Sequence, residues 1–306
     1  MQIDLESIYS FHQIGERSNQ EDSRFPDDDV PGVGNAVFAV CDGVGGCEKG
    51  EVASTTVCKS IGKLLSSHSK ADSFTVEDFK LVLKSAYDAL DKVSDNSNKG
   101  MGTTLTFVCF HADGVLAAHI GDSRIYQIRP HEGIIYRSED HSLVNALLRS
   151  GNISPEQVKD HPKSNVITRC MSADDGTRGK DDATVVNLQD IAPGDYFLLC
   201  SDGVTNCIED DELIDLYTSE MSDKEKYEWL SGRCRNSSDN NTAIQIHVGL
   251  VTVDVESVEG EADVTSEHVV NTRKLDKKNN TVHDISVIED NSGISKIKSL
   301  IKAIFR

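Results

Sequence analysis

Apolar residues follow two periods along this chain. Between Glu51 and Leu65 they recur at Val52, Val57, Ile61, Leu64 and Leu65, the spacing of one helix face. A longer helix of about five turns is predicted from Thr75 to Val93, with Phe79, Val82, Leu83, Ala86, Leu90 and Val93 on one stripe. Thr75 followed three residues later by Asp78 is a helix-start signature. Elsewhere the runs are short and β-rich. Ile8–Ile14 predicts a first strand, and Ala36–Cys41, a continuous apolar run ending at Asp42-Gly43, predicts a buried one. After Gly102 the runs Thr103–Phe110, Val115–Ile120, Arg124–Arg129 and Ile134–Arg137 are separated by turn clusters, the texture of an antiparallel meander.

Ser142 is placed to cap a short helix, Leu143–Arg149, that stops at Gly151, and Ser154-Pro155-Glu156-Gln157 opens another. Val166–Asp182 is polar and reads as a loop. Ala183–Leu188 and Tyr196–Cys200 predict strands, Asp211–Tyr217 and Ser222–Cys234 helices, and Thr242–Val253 a last strand region. Long helices, then meanders, then helices before a final strand is an α+β order, not a βαβ repeat. Residues 1–253 therefore form the expected folded domain, and residues 254–292, polar and poor in aromatics, a linker or tail. In residues 293–306, Ile294, Ile297, Ile301 and Ile304 share one helical face beside Lys296, Lys298, Lys302 and Arg306. That is a short basic amphipathic helix, suited to a partner, an anionic membrane or the chain's own acidic surface, or to fraying at the terminus.

Charge narrows the functional classes. In 306 residues, 31 Lys and Arg against 51 Asp and Glu leave a formal net charge of −20. Nucleic acid is excluded as a general partner, because that affinity rests on basic groups displacing counterions. Hydrophobic residues at 38% suffice for a sizeable core. The eight cysteines include no CxxC pair, and no export signal or long apolar span is apparent. A cytoplasmic protein with reduced thiols is expected.

The candidate chemistry lies in carboxylates. Asp42, Asp122, Asp202 and Asp239 stand at strand-to-loop transitions beside Gly, Ser or Asn, and Glu21-Asp22 lies upstream of them. Taken singly, each is a turn signal. Converging at one end of a sheet, they would repel one another unless a cation neutralised them, and an all-oxygen set suits Mg²⁺ or Mn²⁺.

As an ordered set the motifs resemble the metal-dependent protein phosphatases, the protein phosphatase 2C family, in its compact bacterial form. The resemblance runs from Ile8 to Val253 through Arg17…Glu21-Asp22, Asp42-Gly43-Val44-Gly45-Gly46, Gly102-Thr103-Thr104, Gly121-Asp122-Ser123-Arg124 and Asp140-His141-Ser142. It continues through His161-Pro162…Arg169, Ser201-Asp202-Gly203 and Asp239-Asn240-Asn241-Thr242. It implies a four-layer α-β-β-α sandwich, two antiparallel sheets flanked by helices. It also implies hydrolysis of phosphoserine and phosphothreonine by a water shared between two metal ions, with no covalent intermediate. Carried over by motif, Asp42 bridges both ions and the Gly43 carbonyl binds one. Asp202 and Asp239 hold the first ion, Glu21 and Asp22 support the cluster, and Asp122 belongs to a third, weaker site. Arg17 matches the residue that grips the substrate phosphate. The partners implied are phosphoserine and phosphothreonine proteins, opposed to a Ser/Thr kinase, with the enzyme acting as a monomer. A catalytically silent regulator on the same fold is the alternative, and the intact acidic set counts against it.

Two departures stand out. Val44 occupies the position where eukaryotic relatives carry a histidine proposed as general acid. Cys170-Met171-Ser172-Ala173-Asp174-Asp175 replaces the Leu-Gly usual after Arg169, so the flap is expected to have its own shape.

Overall fold

The structure, a computed structural model, describes residues 1–44, 49–94, 101–158, 161–174, 180–252 and the backbone of 282–285. In chain order the strands are β1 (Gln2–Gln13), β2 (Ser23–Phe25), β3 (Val37–Cys41), β4 (Gly102–Thr103), β5 (Leu105–His111), β6 (Gly114–Ile120) and β7 (Arg124–Arg129). They continue with β8 (Gly133–Arg137), β9 (Met171–Ser172), β10 (Ala183–Leu188), β11 (Tyr196–Cys200), β12 (Asn241–Thr252) and β13 (Val282–Ile285). The helices are α1 (Gly50–Leu65), α2 (Val76–Val93), α3 (Leu143–Arg149), α4 (Asp202–Thr205), α5 (Asp210–Thr218) and α6 (Asp223–Cys234).

Two antiparallel sheets result, in the orders β1-β12-β11-β7-β8 and β13-β10-β6-β5-β3-β2. The continuous apolar runs are continuous because both faces of these strands are covered. In β3, Phe38 and Val40 face the other sheet, while Val37, Ala39 and Cys41 pack beneath α1 and α2. Phe110 joins the sheets, edge-on to Phe38 at 6.0 Å and to Phe197 at 5.2 Å. On the far side, Leu213, Leu216, Tyr217 and Leu230 of α5 and α6 cover the outer face of β7, β11 and β12. The layers are thus α1/α2, sheet, sheet, α5/α6, the four-layer α+β sandwich implied by the resemblance.

Local signals act as read. The Thr75 hydroxyl accepts from Asp78 N and the Asp78 carboxylate accepts from Thr75 N at 2.9 Å, opening α2. Ser222 and Glu225 do the same for α6, and Ser142 caps α3. The differences are informative. β1 begins at Gln2 rather than Ile8, because its first half pairs with β12 as far as Thr252. Ser154 opens only a single 3₁₀ turn, Pro155–Gln157. β2, β4 and β9 are two or three residues long, too short to show a period. In the stretch read as linker, Val282–Ile285 pairs antiparallel with β10, with Ala183 opposite Ile285. The rest of that stretch, the helix of 293–306 and Gly45-Gly46 lie outside the described residues.

Candidate active site

One end of the sandwich gathers the strand ends that carry the acidic motifs. β3 ends at Cys41 and hands the chain to Asp42, whose main chain is fixed on both sides. Asp42 N donates to Thr104 Oγ1 at 3.0 Å, and Asp42 O accepts from Thr104 N at 2.8 Å and Thr103 Oγ1 at 2.9 Å. Gly102-Thr103-Thr104 therefore holds the backbone that presents Asp42. Gly43 follows because nothing larger fits: a Cβ there would lie 2.5 Å from the Gly50 carbonyl carbon and 2.8 Å from Glu21 O. That close approach lets Gly43 N donate to Glu21 O at 3.1 Å, tying the Asp42 turn to the Glu21-Asp22 loop.

Asp202 opens α4 directly after β11, and Asp239 precedes β12. Their turns are pressed together at Gly203, where a Cβ would sit 1.9 Å from Asn240 O. Asp122 leaves β6 through Gly121, whose φ of +103° places it in the region that favours glycine. Asp22 is 3% exposed; its Oδ2 accepts from Ser201 Oγ at 2.8 Å, and its Oδ1 is buried with no hydrogen-bond partner.

The electrostatics show that these groups converge. Burial pushes the Asp42 carboxyl well above the usual carboxylate range, and Asp22, Asp202, Asp122 and Asp239 push it further. Asp22 is pushed up to about 7, by burial first and then by Asp202 and Asp239. Asp122 is likewise pushed up to about 7, by burial and then by Asp202 and Asp140. Asp202 is raised by burial and by Asp239, and hydrogen-bonds with Asp42. Glu21 stands at the rim, raised by burial and by Glu51. Arg17 lies there too, half-exposed, with Nη2 on Asp239 Oδ2 at 2.6 Å and Nε on Ser238 O at 3.3 Å.

Among the described residues, no three His, Cys, Asp or Glu side chains form a closed metal cage. The chemistry nevertheless fits a hard divalent cation: oxygen donors only, mutually raised carboxyls, and one buried carboxylate oxygen without a partner. Asp22, Asp42, Asp122, Asp202 and Asp239 could contribute to such a site, with Glu21 beside them.

Around the cluster lies a set of residues that position it. Arg124 forks onto Asp140 at 2.8 and 2.7 Å and reaches Tyr126 OH at 3.1 Å. His141 Nδ1 accepts from Gly121 N at 3.1 Å, and its Nε2 meets Thr184 Oγ1 at 2.9 Å, clamping the Asp122 turn to β10. Asn240 enters the sequence reading only as part of the Asp239-Asn240-Asn241-Thr242 motif, with no role of its own. Its Oδ1 accepts from Glu21 N at 2.8 Å, and its Nδ2 donates to Ile14 O at 2.8 Å and Asn19 O at 2.9 Å. It thereby staples the loop bearing Arg17 and Glu21 to Asp239. An Asn beside an Asp reads as a turn, and no local pattern announces contacts more than 200 positions away.

The model of the family described as protein phosphatase 2C matches residues 16–232. The protein phosphatase PhpP of Streptococcus pneumoniae is 33% identical over 247 residues, covering 79% of this chain and 95% of that protein. A serine/threonine phosphatase, stp, of Listeria monocytogenes is 34% identical over 200 residues, covering 62% of this chain and 75% of its own. Among solved structures, serine/threonine phosphatase Stp1 from Staphylococcus aureus superposes with a TM-score of 0.67 at 28% identity, covering 81% of this chain and 97% of that one. The catalytic domain of the serine threonine protein phosphatase PstP, in complex with 2 manganese ions, gives 0.65 at 25% identity, covering 81% and 99%.

Proposed function

The chain belongs to the protein phosphatase 2C family, and from that premise we propose that its carboxylate cluster is the metal centre of the enzyme. The protein is a serine/threonine protein phosphatase, a phosphoric monoester hydrolase. Asp42, the Gly43 carbonyl, Asp202 and Asp239 are assigned to Mg²⁺ or Mn²⁺, with Glu21 and Asp22 in support and Asp122 at a third, weaker ion. The observation that carries this reading is the convergence of buried Asp22, Asp42, Asp122 and Asp202 on one end of the two sheets, where burial and neighbouring carboxylates raise their carboxyls. The two manganese ions in the PstP structure agree with it.

When bound, the ions supply a water activated near neutral pH and offset charge on the phosphoryl oxygens. The chain's own groups do the rest. Arg17 uses two of its five N–H donors on Ser238 and Asp239, and the remaining donors serve the substrate phosphate. Asn240 and Gly43 hold that arginine's loop against the carboxylates. Val44 offers no proton, so the leaving alkoxide takes its proton from a water.

The substrates are phosphoserine and phosphothreonine proteins, and the enzyme opposes a Ser/Thr kinase in the cytoplasm, acting as a monomer. No helix among the described residues is long and apolar enough to cross a membrane. Hydrolysis of a phosphothreonine peptide, compared in Mn²⁺, in Mg²⁺ and after exhaustive EDTA, is expected to require the metal. Turnover that survives chelation would overturn the assignment.

A further inference from the structure

Two cysteines outside the carboxylate cluster are neighbours where the Asp202 and Asp239 turns meet. Cys207 follows α4, five positions after Asp202, and Cys234 ends α6, five positions before Asp239. Each thiol feels the other, and Cys207 is among the groups that raise the Cys234 thiol. Cys207 Sγ also donates to Gly203 O at 3.3 Å, and the same carbonyl accepts from Ser237 Oγ at 3.0 Å. Arg233 Nε holds Cys207 O at 3.1 Å, and Ser237 N holds Cys234 O at 2.9 Å. The pair thus spans the junction between the two turns, beside the Gly203–Asn240 contact.

Access separates this pair from the other thiols. Cys207 alone among the described cysteines is not buried. Cys41 and Cys58 are also neighbours, but both are buried, Cys58 on α1 and Cys41 on β3 beneath it. Cys234 is fully buried, and burial pushes its thiol up, so it is not the first to meet an oxidant.

We propose that Cys207 and Cys234 are a reversible disulfide site through which a peroxide acts on the junction of the Asp202 and Asp239 turns. In the first step Cys207 sulfur attacks hydrogen peroxide, the O–O bond breaks, and Cys207 becomes a sulfenic acid with release of one water. In the second, Cys234 sulfur attacks the Cys207 sulfur. The S–S bond forms, the S–O bond breaks, and the hydroxyl leaves with the Cys234 proton as a second water. Two thiols lose two electrons to one peroxide, and a dithiol reverses the change. Bonded sulfurs stand about 2.05 Å apart, so closure draws Cys207 off the Gly203 carbonyl and shifts the turn that presents Asp202. The effect on metal activation rests on the ligand assignment above; the cross-link itself does not.

The test uses the full chain, treated with hydrogen peroxide, capped with iodoacetamide and digested without reduction. The expected result is a peptide pair joined through Cys207 and Cys234, two hydrogens lighter than its parts, which dithiothreitol releases. It is absent in Cys207→Ser and in Cys234→Ala. The Mn²⁺ concentration for half-maximal activation should rise several-fold in the oxidised wild type and not in peroxide-treated Cys207→Ser. Oxidation that stops at a Cys207 sulfinic acid, or links Cys207 to a second chain, overturns the site. A Cys207–Cys234 link with unchanged Mn²⁺ activation overturns its action on the centre. Metal-independent turnover in the reduced enzyme would instead overturn the ligand assignment and leave the disulfide standing.

Discussion

At Asp42, four other carboxylates and burial all act against ionisation. A buried charge among like charges is unfavourable until a cation arrives, so function and apo stability oppose each other at this residue. Asp42→Asn keeps the shape and removes one charge. Its Mn²⁺-dependent kcat/KM on a phosphothreonine peptide should fall by roughly 100-fold or more. Its melting temperature in EDTA should match or exceed that of the wild type; a melting point well below wild type would mean that Asp42 holds the fold. Val44 sets the second test. A serine or threonine alkoxide leaves poorly without a proton, whereas a nitrophenolate needs no help. Well-placed general acids contribute roughly 10² to 10⁴-fold, and a grafted imidazole without supporting neighbours will recover less. Val44→His should therefore change phosphothreonine hydrolysis more than aryl phosphate hydrolysis. Equal changes would show that position 44 does not face the leaving group. The acidic residues were legible because an apolar run delivers each one to a Gly or Ser turn. Asn240 and Thr104 stand in the quoted motifs, but their positioning roles were not legible, because their partners come from distant loops.

At the scale of elements, the strands are tied at both ends by different chemistry. The carboxylate cluster lies at the Arg124 end of β7. At its other end, Arg129 Nε donates to Asp195 Oδ1 at 2.7 Å, while Gln127 Nε2 and Ala192 N donate to Asp195 Oδ2 at 2.8 and 2.9 Å. Asp195 is fully buried and Arg129 is 14% exposed on its side chain. Removing one partner strands the other, so Asp195→Ala should cost about 3–5 kcal/mol, read as a lower urea midpoint. A loss under about 1 kcal/mol, the scale of an exposed pair, would show that Arg129 finds water instead. A second tie lies at the start of α6. Asp223 accepts from Ser7 Oγ at 2.6 Å, Tyr196 OH at 2.5 Å and His247 Nδ1 at 2.8 Å, joining the helix to β1, β11 and β12. Burial works to raise its carboxyl, yet the hydrogen bonds from His247, Ser7 and Tyr196 hold it below the usual carboxylate range. A depressed folded-state pKa stabilises above the unfolded value of about 3.9, and that stability is lost as pH falls through the folded value. Asp223→Asn should lower the urea midpoint at neutral pH and flatten its decline in acid. Parallel wild-type and variant curves would show that the ionised carboxylate contributes nothing. Helices with a 3.6 period and a cap were plain in the sequence. The Asp223 tie was not, since the Ser222-Asp-Lys-Glu225 pattern explains Asp223 as a first-turn acid and nothing more.

Across the whole molecule, the sheets differ in how their edges end. Streptococcal PhpP is covered over 95% of its length by 79% of this chain, so much of what remains here is additional sequence. Val282–Ile285, past the residues that the family model matches, runs beside β10 as the outermost strand of its sheet. In sequence these four residues among polar neighbours show no period and read as linker. What makes them a strand is the open edge they meet, which lies in the fold and not in the local sequence. An unpaired edge is a template for another chain, so a covering strand contributes to solubility as well as to local order. β10 also carries Thr184, the partner of His141, but the carboxylates come from β3, β6, β11 and β12 and the loop before β2. Truncation after Thr252 is therefore expected to leave Mn²⁺-dependent kcat/KM on a short phosphothreonine peptide unchanged. The same truncation should bring concentration-dependent self-association, measured by sedimentation velocity, because the β10 edge is bare. A lysine at Val185, where the side chain is buried, would confound this test by disturbing the core. Lysine at the exposed Gln189, just past the strand, is the better control, and its charge should suppress the association of the truncated chain. A truncated protein that stays monomeric at every concentration would show that β10 needs no cover. A truncated protein that loses turnover would show that the strand reaches the active centre through Thr184 and His141.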